Sequence, residues 1–190
     1  MTRRILGGTL AAAWILAAPG ASGGEAKAPF DQTLSYDGHD LRLRSASLKE
    51  VSVLKVDVYW VALYLETVDT PPGSIRNSTQ VKAFVFHFLR NVSGARIQEA
   101  WIGDLAAACE TGCDAVIAQG RVLAAKMPDV RPSQTVAYFL FPDRVDVLVE
   151  GAYLGSLTGV DASRAVQATF LGPKAPAKLR KELVGFGAAR

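Results

Sequence analysis

Residues able to do chemistry are sparse in this sequence. Two cysteines and two histidines occur among 190 residues. That is too few for a four-ligand zinc site unless carboxylates join, and their spacing is not that of zinc ligands, so no metal is expected. Cys109 and Cys113 stand four apart across Gly112, where a helical pattern stops. The spacing differs from the two-residue gap of thioredoxin-like dithiols, and no strand-helix-strand context surrounds it. A local disulfide pinning one helix end to the next is the expected reading, with a redox-active dithiol as the alternative. His87 falls in a strand on the face opposite Phe84, Phe86 and Phe88. A base role would need a nucleophile or partner that the sequence does not place beside it. Asp143 and Asp146 fall in or beside a hairpin turn and read as turn formers rather than as a carboxylate pair. No cofactor is expected.

The composition is that of one ordinary globular domain: 49% apolar, 21% charged and 8% aromatic residues, with 17 Gly and 9 Pro. Disordered and collagen-like classes are excluded. The net charge of +3 comes from 21 basic and 18 acidic residues mixed along the chain without a basic block, so no nucleic-acid partner is expected. Residues 1–23 carry Arg3 and Arg4, an apolar run over 5–18 and a small-residue stretch over 19–23, the three-part order of a secretory signal peptide. The run is shorter than the roughly 20 residues a membrane-crossing helix needs, and no lipoprotein-type Cys follows it. The expectation is a cleaved leader over 1–23 and a domain over 24–190, periplasmic or secreted, with no stable membrane span after cleavage. Loss of Arg3 and Arg4 lowers the charge from +3 to +1. Oxidising surroundings would favour the Cys109–Cys113 disulfide.

Short strands are predicted over 33–36 and 41–45 around a turn at Gly38. From 53 to 65 the even positions Leu54, Val56, Val58, Trp60, Ala62 and Tyr64 are apolar while Lys55 and Asp57 are polar, which predicts a long strand with one buried face. A Pro71-Pro72-Gly73 loop follows, then a strand over 81–89. Ser93 is a good N-cap for a helix in which Ile97, Ala100, Trp101, Leu105, Ala108 and Cys109 recur at helical spacing. A second helix over 114–126 ends before Pro128. Three strands over 135–141, 145–149 and 153–157 are joined by links too short for anything but antiparallel pairing. Asp161 is read as the cap of a helix ending at Gly172-Pro173, and 177–183 as a last helical segment. Strand and helix blocks joined this way predict an α+β fold, an antiparallel sheet with helices packed on one face.

Four segments together resemble the chalcone isomerase superfamily, in particular its exported bacterial chalcone isomerase-like branch. They are Val58-Tyr-Trp-Val-Ala-Leu-Tyr-Leu-Glu66, Val92-Ser-Gly-Ala-Arg-Ile-Gln-Glu-Ala-Trp101, Val147-Leu-Val-Glu-Gly-Ala-Tyr-Leu-Gly-Ser-Leu157 and Val166-Gln-Ala-Thr-Phe-Leu-Gly-Pro173. The resemblance implies an open-faced β-sandwich, a large antiparallel sheet covered by helices, with an apolar cleft between them. Family members divide into isomerases that close a chalcone phenol onto its enone, fatty-acid-binding relatives, and members without known activity.

The family's catalytic positions carry over as follows. The enzymes' Arg before the long strand falls near Ser47, with Arg44 the nearest guanidinium. Their strand Thr falls at Tyr59, their helix Tyr and Asn at Ile97 and Asp104, and their late hydroxyl residue at Thr169. Stabilising a developing oxyanion needs donors placed where the charge appears; Ile97 offers none and an ionised Asp104 repels one. The expectation is therefore a non-catalytic protein whose cleft holds a small apolar or amphipathic ligand, fatty-acid-like or aromatic, or a protein partner of unknown identity. The alternative is an isomerase or intramolecular lyase using Arg44, Tyr59 and Thr169. Ligand contacts are expected from Trp60, Tyr64, Ile97, Trp101, Asp104 and Phe170, with Phe86 and Phe88 also in the cleft. The competing reading is that these side chains simply fill the core.

Overall fold

The computed structural model describes residues 28–51, 56–109 and 112–185; the expected leader over 1–23 lies outside them. Seven strands form one sheet: β1 (Thr33–Tyr36), β2 (His39–Val51), β3 (Val56–Leu65), β4 (Lys82–Phe88), β5 (Thr135–Leu140), β6 (Arg144–Val149) and β7 (Ala152–Thr158). They lie in chain order, each antiparallel to the next. The helices are α1 (Pro72–Ile75), α2 (Gly94–Ala108), α3 (Asp114–Ala124), α4 (Val160–Leu171) and α5 (Ala177–Val184). This is the expected α+β architecture. Two helices inserted between β4 and β5 do not break the meander.

Turn chemistry sets the hairpins. Asp37 and Gly38 both have positive φ (49° and 79°), as do Glu150 and Gly151 (51° and 74°). Two successive left-handed residues give a turn whose twist matches that of the flanking strands, and Gly at the second place removes the steric penalty.

Cross-strand register sorts side chains into two faces. One row reads Leu63, Phe84, Tyr138 and Val147; the next reads Val61, Phe86, Val136 and Val149. These rows meet the helices and form the larger core with Trp101, Leu105, Leu123, Val166, Phe170 and Leu183. The reverse face carries Tyr64, Ala83 and Phe139, which build a second core with Leu41, Ala62, Phe141 and Leu148. Helix α4 packs over β6 and β7, α5 against β2, and α2 against α3 and α4.

Local sequence accounts for how α2 is held. Ser93 accepts a hydrogen bond from the Arg96 amide at 3.4 Å, as an N-cap does. Gly94 donates its amide to Asp129 at 2.8 Å, and Val92 bridges Val130. A Cβ at Gly94 would lie 2.1 Å from the Met127 carbonyl oxygen, so glycine is what lets the helix start seat against the 127–130 segment. At the other end, Cys109 and Cys113 form a disulfide joining α2 to α3.

Three local readings are corrected. The Pro71-Pro72-Gly73 stretch opens the short helix α1, because Pro is pre-organised for a first helical turn. Helix α4 is capped by the backbone of Gly159, and Asp161 sits inside its first turn paired to Arg164 at 3.1 Å. Asp146 is no turn former: its buried carboxylate accepts from Tyr36 (3.2 Å), Ser156 (2.5 Å) and Arg144 (3.2 Å), tying the first hairpin to β6 and β7.

Candidate functional site

Between the helix-facing rows of the sheet and α2 lies a cavity of about 510 Å³, a size suited to a small-molecule ligand. Strand β3 contributes Tyr59, β4 contributes Phe86 and Phe88, and β5 contributes Val136 and Tyr138. Helix α2 brings Ile97, Trp101 and Asp104, and α4 brings Phe170. The period of two along the strands and the 97, 101, 104 spacing along α2 aim these side chains at one volume. An adjoining lobe of about 360 Å³ shares Tyr59, Asp104 and Phe170 and adds Lys49, Thr169, Lys174 and Leu179. The cleft therefore runs from an aromatic end to a charged one.

The aromatic end is tightly ordered. Trp101 stacks on Tyr138 with centroids 5.3 Å apart and planes 25° from parallel, and Tyr59 meets Phe86 edge-on at 5.3 Å. Phe170 reaches Phe84 at 4.4 Å and Phe86 at 5.5 Å, closing the wall beneath α4. Such offset and edge contacts are the favoured aromatic geometries. The Trp101 indole Nε1 is buried and has no hydrogen-bond partner among the described residues.

The electrostatics follow from burial. Desolvation pushes the Tyr59 phenol up to about 12, with Asp104 adding to the shift. Burial drives Tyr138 higher still, aided by Tyr59 and Asp104. Both phenols stay protonated at neutral pH and can donate hydrogen bonds. The same low-polarity wall raises the Asp104 carboxyl, opposed by Lys49. Arg96, at the rim, is paired with Glu99 at 3.5 Å and both are exposed.

Of the expected site residues, Tyr59, Ile97, Trp101, Asp104 and Phe170 are brought together at the cavity. Thr169 lines the adjoining lobe, but its hydroxyl donates to the Val166 carbonyl one turn back at 2.7 Å. Trp60 and Tyr64 are corrections. They project from the reverse face, where Tyr64 donates to the Asp31 carbonyl at 2.8 Å and Trp60 packs on the second core. Only one face of a strand can meet the helices, and in β3 it is the odd-numbered one. Arg44 is also away from the cavity. A bulge between Leu43 and Ser45 turns Arg44 and Ser45 together toward α5. There Arg44 donates to the Val68 and Val184 carbonyls, the latter at 3.1 Å, and Ser45 to the Leu183 carbonyl at 2.5 Å. Ser47, the ungapped counterpart of the family's Arg, donates to Glu182 at 2.5 Å.

Sequence reasoning missed Tyr138, Val136 and Lys49. The alternation in β5 marks Val136, Tyr138 and Leu140 as one face, but nothing local says that this face meets α2. No group of three or more metal-ligating side chains is assembled among the described residues.

A curled antiparallel sheet roofed by helices, with an aromatic cleft between the layers, defines a protein of open-faced sandwich architecture built around an internal cleft. The family model for chalcone isomerase-like proteins matches residues 25–185, and the chain belongs to the chalcone isomerase-like family. Among solved structures it is similar to a fatty-acid binding protein of Arabidopsis thaliana, at 14% identity and a TM-score of 0.60, over 80% of this chain and 95% of that one. No curated protein matches it.

Proposed function

We propose that this protein is an exported, non-catalytic member of its family that holds an amphipathic ligand in the cleft, the apolar part among Tyr59, Phe86, Phe88, Trp101 and Tyr138 and the polar end toward Lys49, Asp104 and Lys174. The observation carrying this reading is the aromatic cavity itself, left unfilled by its own side chains and adjoined by a lobe where Lys49, Asp104 and Lys174 bring charge to a largely apolar lining. An open apolar cleft of that size holds water against apolar walls, and an apolar group that displaces this water gains free energy. The fatty-acid binding activity of the Arabidopsis structure is in keeping with such a ligand. Export is supported by the leader pattern of residues 1–23. The non-catalytic reading is supported by the engagement of Arg44 with two backbone carbonyls, by the internal hydrogen bond of Thr169, and by Ile97, which supplies no donor where the enzymes have a phenol.

Protein purified from the periplasm is analysed by native mass spectrometry, and displacement of a fluorescent fatty-acid probe is measured for the wild type and for Ile97→Trp, which fills the cavity. The expected result is a co-purifying lipid or aromatic acid and at least a tenfold loss of probe affinity in the variant. Equal affinity in a folded Ile97→Trp protein would overturn the proposal. Cyclisation of a hydroxychalcone well above the buffer rate would overturn its non-catalytic part.

A further inference from the structure

Helix α4 joins two different recesses. Its C-terminal turn, with Thr169 and Phe170, belongs to the cleft. Its N-terminal turns, with Ser163 and Arg164, line a separate recess of about 340 Å³ closed by the end of α1, the 76–80 segment, the start of β4 and the 141–142 turn. Three cations line this recess, Arg76, Lys82 and Arg164, together with neutral donors such as Thr79 and Ser163, and among the described residues no carboxylate lines it. We propose that the recess is a second binding site, distinct from the cleft, that takes a phosphate oxyanion.

Lys82 is the strongest argument. It is 4% exposed, and its cross-strand neighbours Leu65 and Leu140 are fully buried leucines. Its ammonium donates to the Ser78 carbonyl at 2.6 Å and the Gln80 carbonyl at 3.3 Å. Those bonds use two of three donors and supply no opposite charge. The acidic residue acting on it, Glu66, is committed to His39 at 2.5 Å and to the Val81 amide at 2.8 Å. A buried cation with neutral partners is costly, and a bound anion relieves the cost.

Arg76 adds a planar fork suited to phosphate. Its guanidinium has no partner among the described residues, while its carbonyl is pinned by Gln167 Nε2 at 2.6 Å, which fixes the recess wall. Arg164 is tied to Asp161 through one nitrogen at 3.1 Å, leaving its other donors available. Helix α4, twelve residues long, starts beside the recess at Val160 without a side-chain cap, and Asp161 in its first turn offsets part of the positive potential of its first amides.

Sodium phosphate is titrated into the mature protein against sodium chloride at matched ionic strength, read by Tm and calorimetry, for the wild type and for Arg76→Ala/Arg164→Ala. The expected result is a saturable rise in Tm with phosphate and at least a tenfold weaker affinity in the double variant, whose fatty-acid probe binding is unchanged. Because Lys82→Met also frees two loop carbonyls, the exposed arginines carry the test. Glycerol 3-phosphate and vesicles of phosphatidylglycerol, with phosphatidylcholine as control, distinguish the sources of the phosphate. Arginine-dependent co-sedimentation with the anionic vesicles assigns a lipid headgroup, and binding of the ester alone assigns a soluble ligand. No response beyond chloride from any of these probes, or a response that survives in the double variant, would overturn the proposal.

Discussion

Trp101 and Tyr138 stack across the sheet-helix interface, 5.3 Å between centroids, and the stack forms one wall of the cleft while leaving the indole N–H buried without an acceptor among the described residues. The pair joins α2 to the middle of the sheet, so its packing and its unmet polar group act in opposite directions on stability. Trp101→Ala is expected to cost about 3–5 kcal/mol, as large-to-small core substitutions of aromatics do. Trp101→Phe keeps an aromatic face and removes an unsatisfied donor worth about 1–3 kcal/mol, so its net effect should be small. Urea unfolding of the two variants checks the contrast; equal losses would show that the unpaired N–H carries no penalty.

Arg44 reads as a tie between β2, the Val68 segment and the end of α5 rather than as a ligand contact. Arg44→Ala should destabilise the fold by about 2–4 kcal/mol, since the buried Arg44 side chain loses its packing and two partly buried carbonyls lose a charged donor. Probe affinity in the cleft should stay within twofold of wild type. A large affinity loss at preserved stability would return Arg44 to the binding machinery.

The raised Asp104 carboxyl has a definite consequence for pH dependence. Its folded pKa lies above its unfolded value, so between the two the native state binds more protons and stability falls as pH rises. Above both, the ionised side chain is a standing cost. Asp104→Asn should therefore be more stable than wild type at pH 7, with the advantage shrinking as pH drops from the raised folded value toward the unfolded carboxylate value. Chemical denaturation at pH 7 and pH 3.5 measures the difference; an advantage that grows on acidification would contradict the shift.

Lys82 shows the opposite sign. Burial lowers its pKa to about 8 from 10.5, so between these values the unfolded chain binds the extra proton and stability rises with pH. The strain of carrying the buried charge at pH 7 is on the order of 3 kcal/mol. Wild-type stability should climb from pH 8 to pH 10 relative to Lys82→Met. Parallel curves for the two proteins would show an unperturbed lysine.

The disulfide closes a loop of sequence separation four. Chain-entropy scaling gives such a short loop about 2 kcal/mol. Cys109→Ser/Cys113→Ser should lower the unfolding free energy by about that amount and reproduce the effect of reductant on the wild type. A redox-active dithiol would instead turn over in an insulin-reduction assay, which the disulfide reading expects to be negative.

Much of the fold was legible along the chain. The antiparallel hairpins of the last three strands, the Ser93 cap and the Cys109–Cys113 link each depend on residues close in sequence, where hydrophobic period, turn residues and capping groups act directly. The site was legible only in part. Ile97, Trp101 and Asp104 share one face of α2, so helical spacing alone groups them.

Which face of β3 meets the helices was decided elsewhere. Alternation separates odd from even residues but carries no sign, and from Val61 to Leu65 both sets are apolar and buried because both sheet faces are covered. The sequence by itself determined that an apolar meander would pack under helices with aromatic side chains between. Tertiary packing alone chose Tyr59 over Trp60 and Tyr64 for the cleft, turned Arg44 to α5 through a bulge, and gathered Arg76, Lys82 and Arg164 from three separate elements. Register and element docking are long-range choices, set by which surfaces exclude water together rather than by any local pattern.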